Sequence, residues 1–192
     1  MQEYTVRRYS FAELNEEARE KAIENAQRYL HEWLSEQEIT DYLEGKLEED
    51  LGSLPEGITI AYSLSYCQGD GVALYGRIYR EEAKDLAWPE GSHYADLVRN
   101  SLSNHYSHYN TFNLEVSDEN SDPIDLSGSA IEDQLRDLCK KLEKLGYRYV
   151  ENETSRESAI RFLEDQDSEE NNYFLEDGTR DFPRGIVLGV SA

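Results

Sequence analysis

The spacing of apolar residues changes from segment to segment along the chain, and each change marks an element. Residues 3–11, EYTVRRYSF, alternate and predict an opening strand with Tyr4 and Val6 on one side. Ser10 to Glu13 has the spacing of a capping box, in which a serine and the residue three positions later satisfy each other's free backbone amides. From Leu14, apolar residues recur at Ala18, Ala22, Ala26, Leu30 and then Trp33 or Leu34. That is the step of a helix with its charges on the opposite face. A second helix is predicted from Glu36 to about Leu51, carrying Ile39, Tyr42, Leu43 and Leu47 and ended by Gly52 and Pro55.

Period two then takes over. In ITIAYSLSYC (58–67), Ile58, Ile60, Tyr62, Leu64 and Tyr66 share one face, and the small residues Thr59, Ala61, Ser63 and Ser65 share the other. VALYGRIY (72–79) alternates again, so the two runs form a hairpin around QGDG, whose glycines supply the positive φ of a tight turn. The small-residue face suits a closely packed helix, and Gly76 marks a bulge or a close approach. REEAKDLAWPEG (80–91) reads as a short helix stopped before Pro89, YADLVRNSL (94–102) as a helix after it, and HYSHYNTFNLEVS (105–117) as a third core strand. After an exposed loop, Ser129-x-x-Glu132 caps a helix carrying Ile131, Leu135, Leu138, Leu142 and Leu145, which Gly146 ends. Thr154-x-x-Glu157 caps a further helix to about Leu163, DQDSEENN (165–172) is an acidic loop, and a final hairpin turns at Asp177-Gly178 before an apolar run from Ile186 to Val190. With no repeat and no linker, the pattern predicts one α+β domain over residues 1–192: an antiparallel sheet of three to five strands, with a central hairpin, packed by amphipathic helices.

Charge changes this picture most. The 192 residues include 41 acidic and 19 basic ones, a formal net charge of −22. Such a surface repels nucleic acid and anionic membranes, which argues against direct binding to either. It suits instead the basic groove that a nucleic-acid enzyme offers to phosphates. No signal peptide or membrane-length apolar run is visible, so a cytoplasmic protein is expected. The two cysteines, Cys67 and Cys139, form no CxxC pair, and Cys139 falls on the apolar side of a helix, where a small buried residue is expected.

Chemistry is sparse in the sequence. QGDG leads into a strand rather than a helix, which is the wrong setting for a phosphate cradle. Cys67 lacks a neighbouring base, and His31 sits in no HExxH pattern. Asp118, Asn120 and Asp122 match the first ligand positions of a calcium loop, but Pro123 replaces its turning glycine and Ser129 its closing glutamate. Asp165, Asp167, Glu169 and Glu176 repeat that spacing without the glycine. No cofactor is called for.

Several blocks taken together carry a resemblance. YSFAELNEEAREKAIENA (9–26), SLSYCQGDGVALYG (63–76), HYSHY (105–109), LEKLGYRYVENETSRESAIRFLED (142–165) and YFLEDG (173–178) resemble, in this order, a family of small acidic proteins encoded by phages and prophages. In those relatives the residue before the turn is commonly serine or another small residue, which implies that Cys67 is not a required nucleophile. The resemblance further implies a phage setting, in which small acidic proteins often block host defence enzymes.

These readings converge on a non-enzymatic acidic protein that binds a host protein with a basic surface, an inhibitor of anti-CRISPR or anti-restriction type. The expected contact residues are Asp118, Glu119, Asp122, Asp125, Asp165, Asp167, Glu169 and Glu170, with Asp70 at the hairpin tip. The competing expectation is a small hydrolase or metal-dependent enzyme. Its site would draw on Cys67, Asp70, His105 and His108 if the third core strand lay beside the hairpin.

Overall fold

The computed structural model of the protein describes residues 7–100, 107–167 and 173–181; of Asp167 and Asp181 only the backbone is described. The expected α+β class is what the chain adopts, with four helices and a four-stranded antiparallel sheet among the described residues. It divides into two compact units, residues 35–149 and residues 1–34 with 150–192.

The larger unit begins with α2 (Glu36–Leu51), which follows α1 (Glu16–Trp33) of the other unit. Its cap is a true box: the Ser35 hydroxyl accepts from the Glu38 amide, and the Glu38 carboxylate accepts from the Ser35 amide. The helix buries Ile39, Leu43, Leu47 and Leu51. Strands β1 (Ile58–Ser63), β2 (Gly71–Tyr79), β3 (Tyr94–Arg99) and β4 (Phe112–Ser117) follow as an antiparallel meander, each pairing with the next. One face carries Ile60, Val72, Leu74, Ile78, Ala95, Leu97, Phe112 and Val116, all buried. The helices cover this face. Tyr62 of β1 donates its hydroxyl to the Glu36 carbonyl of α2 at 2.7 Å, and Cys139 of α3 (Ile131–Glu153) reaches the Leu74 backbone. Burial pushes the Cys139 thiol up to about 12, so it stays a neutral packing group. The small residues Thr59, Ala61 and Ser63 lie on the opposite face, where Ala73, the partner of Ala61, is fully buried.

Other departures have local causes. YADLVR is strand β3, not a helix. Ala95 and Leu97 face the core, while Tyr94 is buried on the other face beneath the Arg77 guanidinium, 3.9 Å from its ring centre. Apolar residues on both faces hide a period of two. Residues 80–91 form successive turns. The Trp88 indole donates to the Ala83 carbonyl at 2.7 Å, and the Leu86 amide donates to the same carbonyl, so an isolated turn takes the place of a helical ladder. Helix α3 does not stop at Gly146. A side chain there would meet Leu64 Cδ1 at 2.8 Å and Leu43 Cδ2 at 3.5 Å, so this glycine is an opening for packing rather than a helix stop. Gly76 is a close approach with φ +115°, because a Cβ would lie 1.9 Å from the Gly57 carbonyl oxygen.

The smaller unit packs α1 (Glu16–Trp33) on α4 (Arg156–Asp167), with a short hairpin of β5 (Tyr173–Phe174) and β6 (Arg180–Asp181). The Ser10–Glu13 pair forms, but it closes a three-residue 3-10 turn; α1 starts later, where Asn15 accepts from the Ala18 amide at 2.9 Å. Ala18, Ala22 and Ala26 line the buried face of α1 with Ile23, and Phe11, Leu14, Ala159, Leu163 and Phe174 complete this core. Helix α4 is capped by Ser155, whose hydroxyl accepts from the Ser158 amide, rather than by Thr154. Trp33, placed by its spacing on the apolar face, is 68% exposed. The opening strand reduces, in its described part, to a single bridge from Tyr9 to Phe174. Tyr4, Val6 and the run Ile186 to Val190 lie outside the described residues.

Candidate functional site

The acidic segment after β4 is an ordered turn. One oxygen of Asp118 accepts from the amides of Asn120 and Asp122, at 2.8 and 2.9 Å. The chain closes with Ser121 N–H on the Asp118 carbonyl and a bridge from Ser117 to Pro123. Ser121 adopts φ 69°, a left-handed conformation unusual for serine, and its side chain bonds the Tyr94 phenol of β3. The amide of Asp122, then burial in opposition, then Asn120 set the net effect at Asp118: its carboxyl lies below the usual aspartate range. Asp125 is lowered likewise by the Ser127 hydroxyl and amide, while Glu119 and Asp122 point into solvent. Asp118 and Asp122, read as the start of a calcium loop, thus belong to a turn whose inward oxygen is already occupied by amides.

The second acidic stretch has a different setting. Asp165 lies in the last turn of α4, not in a loop, and that turn contains no basic residue. A helix end of this kind concentrates negative potential, because the peptide dipoles add to the carboxylates. Asp167 ends α4, with its side chain outside the described residues, as are Glu169 and Glu170 entirely.

At the hairpin, β1 stops at Ser63 and β2 starts at Gly71, so the tight QGDG turn becomes a loop of residues 64–70. Asp70 organises it. Its carboxylate accepts from the Ser63 hydroxyl at 2.6 Å, the Ser65 amide at 2.8 Å, the Cys67 amide at 2.6 Å and the Tyr147 hydroxyl at 3.4 Å. Burial pushes the Asp70 carboxyl upward, but these hydrogen bonds together outweigh it and hold the group below its ordinary value. Tyr66, at φ 57°, lays its ring on Tyr147 with centroids 4.5 Å apart.

The residues of the competing expectation are only partly gathered. His108 precedes β4 instead of standing in it; its ring packs on Tyr109 and accepts from the Asn110 amide. A Cβ on Gly71 would meet Glu143 Oε2 at 2.9 Å and the His108 ring at 3.3 Å, so histidine and glutamate flank the start of β2. The Cys67 thiol is exposed and donates to the Ser65 carbonyl. No side-chain to side-chain hydrogen bond links Cys67, Asp70 and His108, and His105 lies outside the described residues. Among the described residues no group of three His, Cys, Asp or Glu side chains is arranged to hold a metal.

Sequence reasoning missed Tyr147, Glu143 and Tyr94. The first two stand one helical turn apart on α3 and were legible as a pair, whereas nothing in the sequence joins them to a loop some 70 residues earlier. No family model, curated protein or solved structure matches the chain. No helix among the described residues is long and apolar enough to cross a membrane.

Proposed function

We propose that this protein is a non-enzymatic binding protein whose carboxylates engage a basic surface on another protein, of the kind a nucleic-acid enzyme presents to phosphates. The observation that carries this reading is the turn of residues 118–125. Backbone amides and the Ser127 hydroxyl hold Asp118 and Asp125 ionised and fixed, and Glu119 and Asp122 project beside them. Fixed carboxylates lose little side-chain freedom when a guanidinium or ammonium docks, so more of the Coulomb attraction is retained. The net charge of −22 supplies long-range steering. Asp165 at the acidic end of α4 and the exposed turn residues are the contact groups, and Asp70 contributes by shaping the hairpin loop. The phage resemblance names the partner class: a host defence nuclease or CRISPR-type effector, inhibited by occupation of its phosphate groove.

Affinity capture from host lysate at low and high salt, with bound proteins identified by mass spectrometry, tests the proposal. The expected result is a nucleic-acid enzyme retained at low salt, released at high salt and displaced by added duplex DNA. Capture that ignores both salt and DNA contradicts it.

A further inference from the structure

A cavity of about 300 Å³ opens in the larger unit, bounded by the end of α2, residues 83–86 and the first half of α3. Its walls are fastened together. The Ser53 hydroxyl donates to the Glu82 carbonyl at 3.0 Å, and the Ala87 amide donates to the Gln134 side chain at 2.6 Å. Leu51, Ala83, Leu86 and Leu138 form an apolar lining, and three of the four are buried. Carboxylates ring the mouth: Asp50, Asp85 and Asp137.

This order of chemistry, apolar below and anionic above, complements a long cationic side chain. The methylenes of lysine or arginine cover apolar surface while the charged head stays at a polar rim. At the same mouth Lys141 places its ammonium against both oxygens of Asp50, the longer contact at 2.7 Å. Asp137 holds Lys140 through an exposed pair of the kind that contributes little and is readily exchanged. Asp85 is exposed and has no partner among the described residues. We infer that this cavity seats a lysine or arginine side chain of the basic protein partner. The inference rests on the binding function proposed above and assigns that partner one anchoring residue.

The test compares two eight-residue probes of equal charge, octalysine and an octamer of 2,4-diaminobutyrate, whose side chains are two methylenes shorter. Binding is measured by titration calorimetry at low salt. Wild type is expected to favour octalysine by roughly tenfold, the effect of burying two further methylenes. The double variant Asp85→Asn, Asp137→Asn is expected to bind more weakly and to lose that preference. The charge-matched Glu119→Gln, Asp122→Asn is expected to weaken both probes alike and to keep it. Equal binding of the two probes by wild type, or equal loss of preference in both variants, overturns the seat and leaves salt-sensitive binding standing. If wild type binds neither probe, the broader function fails, and the seat with it.

Discussion

Asp70 sits where a catalytic acid was one expectation, and its surroundings give it a different task. Replacing it by alanine strips the acceptor from two amides and a serine hydroxyl at once. The expected cost is about 1.5 kcal/mol in urea unfolding, the low end of the range for hydrogen bonds to a charged acceptor, because the Ser65 and Cys67 amides are exposed. Because the folded-state pKa is depressed, this contribution is complete above the unfolded carboxyl pKa and disappears as pH falls through the folded one. The stability gap between wild type and Asp70→Ala should accordingly close in acid; a gap that widens there would refute the assignment. Gly146 gives an opposite kind of residue test. Alanine gains up to about 1 kcal/mol of helix propensity over glycine. Here its methyl would meet Leu64 Cδ1 at 2.8 Å. That atom is the far end of a half-buried leucine side chain, which can turn aside at small cost, so most of the gain survives and Gly146→Ala is expected to raise the denaturation midpoint.

Elements were legible in the sequence where one face alone is buried. Helix α2 with its capping box and the α1 alanine stripe follow from periodicity, because one side of each meets the core and the other meets water. Strand β3 was not legible, since Tyr94 is buried on one face and Ala95 with Leu97 on the other. The true starts of α1 and α4 were missed for a related reason: Asn15 and Ser155 stand within five residues of other good caps, and packing chooses between them. Asn15→Ala is expected to cost about 1 kcal/mol by chemical unfolding, whereas Ser10→Ala, which ends only a 3-10 turn, should cost less. Hydrogen exchange separates the readings of 80–99. Amides of β3, paired on both sides by β2 and β4, should be slow, and those of 81–88 fast. Of the candidate site, the acids of 118–125 were found from composition. Their fixing by Asn120, Asp122, Ser127 and Tyr94 needed the fold, because side-chain to backbone bonds leave no periodic trace.

At the scale of the whole chain, 41 acidic residues oppose 19 basic ones, and most of the ion pairs among the described residues are exposed. Exposed pairs add little stability, and their attraction falls off over about 10 Å at 0.1 M salt. The charge therefore bears on association rather than on the fold. Binding should also outlast mild acid, because Asp118 and Asp125 are held below the ordinary aspartate range and remain ionised when solvent carboxylates begin to protonate. Retention of the captured partner as pH falls, compared between wild type and Asp118→Asn, Asp125→Asn, checks this; the variant should release its partner at the higher pH. The most direct single measurement is competition on the captured enzyme: labelled duplex DNA bound to it, this protein titrated in, and anisotropy followed at increasing salt. The expected result is stoichiometric displacement of DNA at low salt that fades as salt rises. A ternary complex in which the enzyme holds DNA and this protein together, at any salt, would contradict the phosphate-groove mechanism.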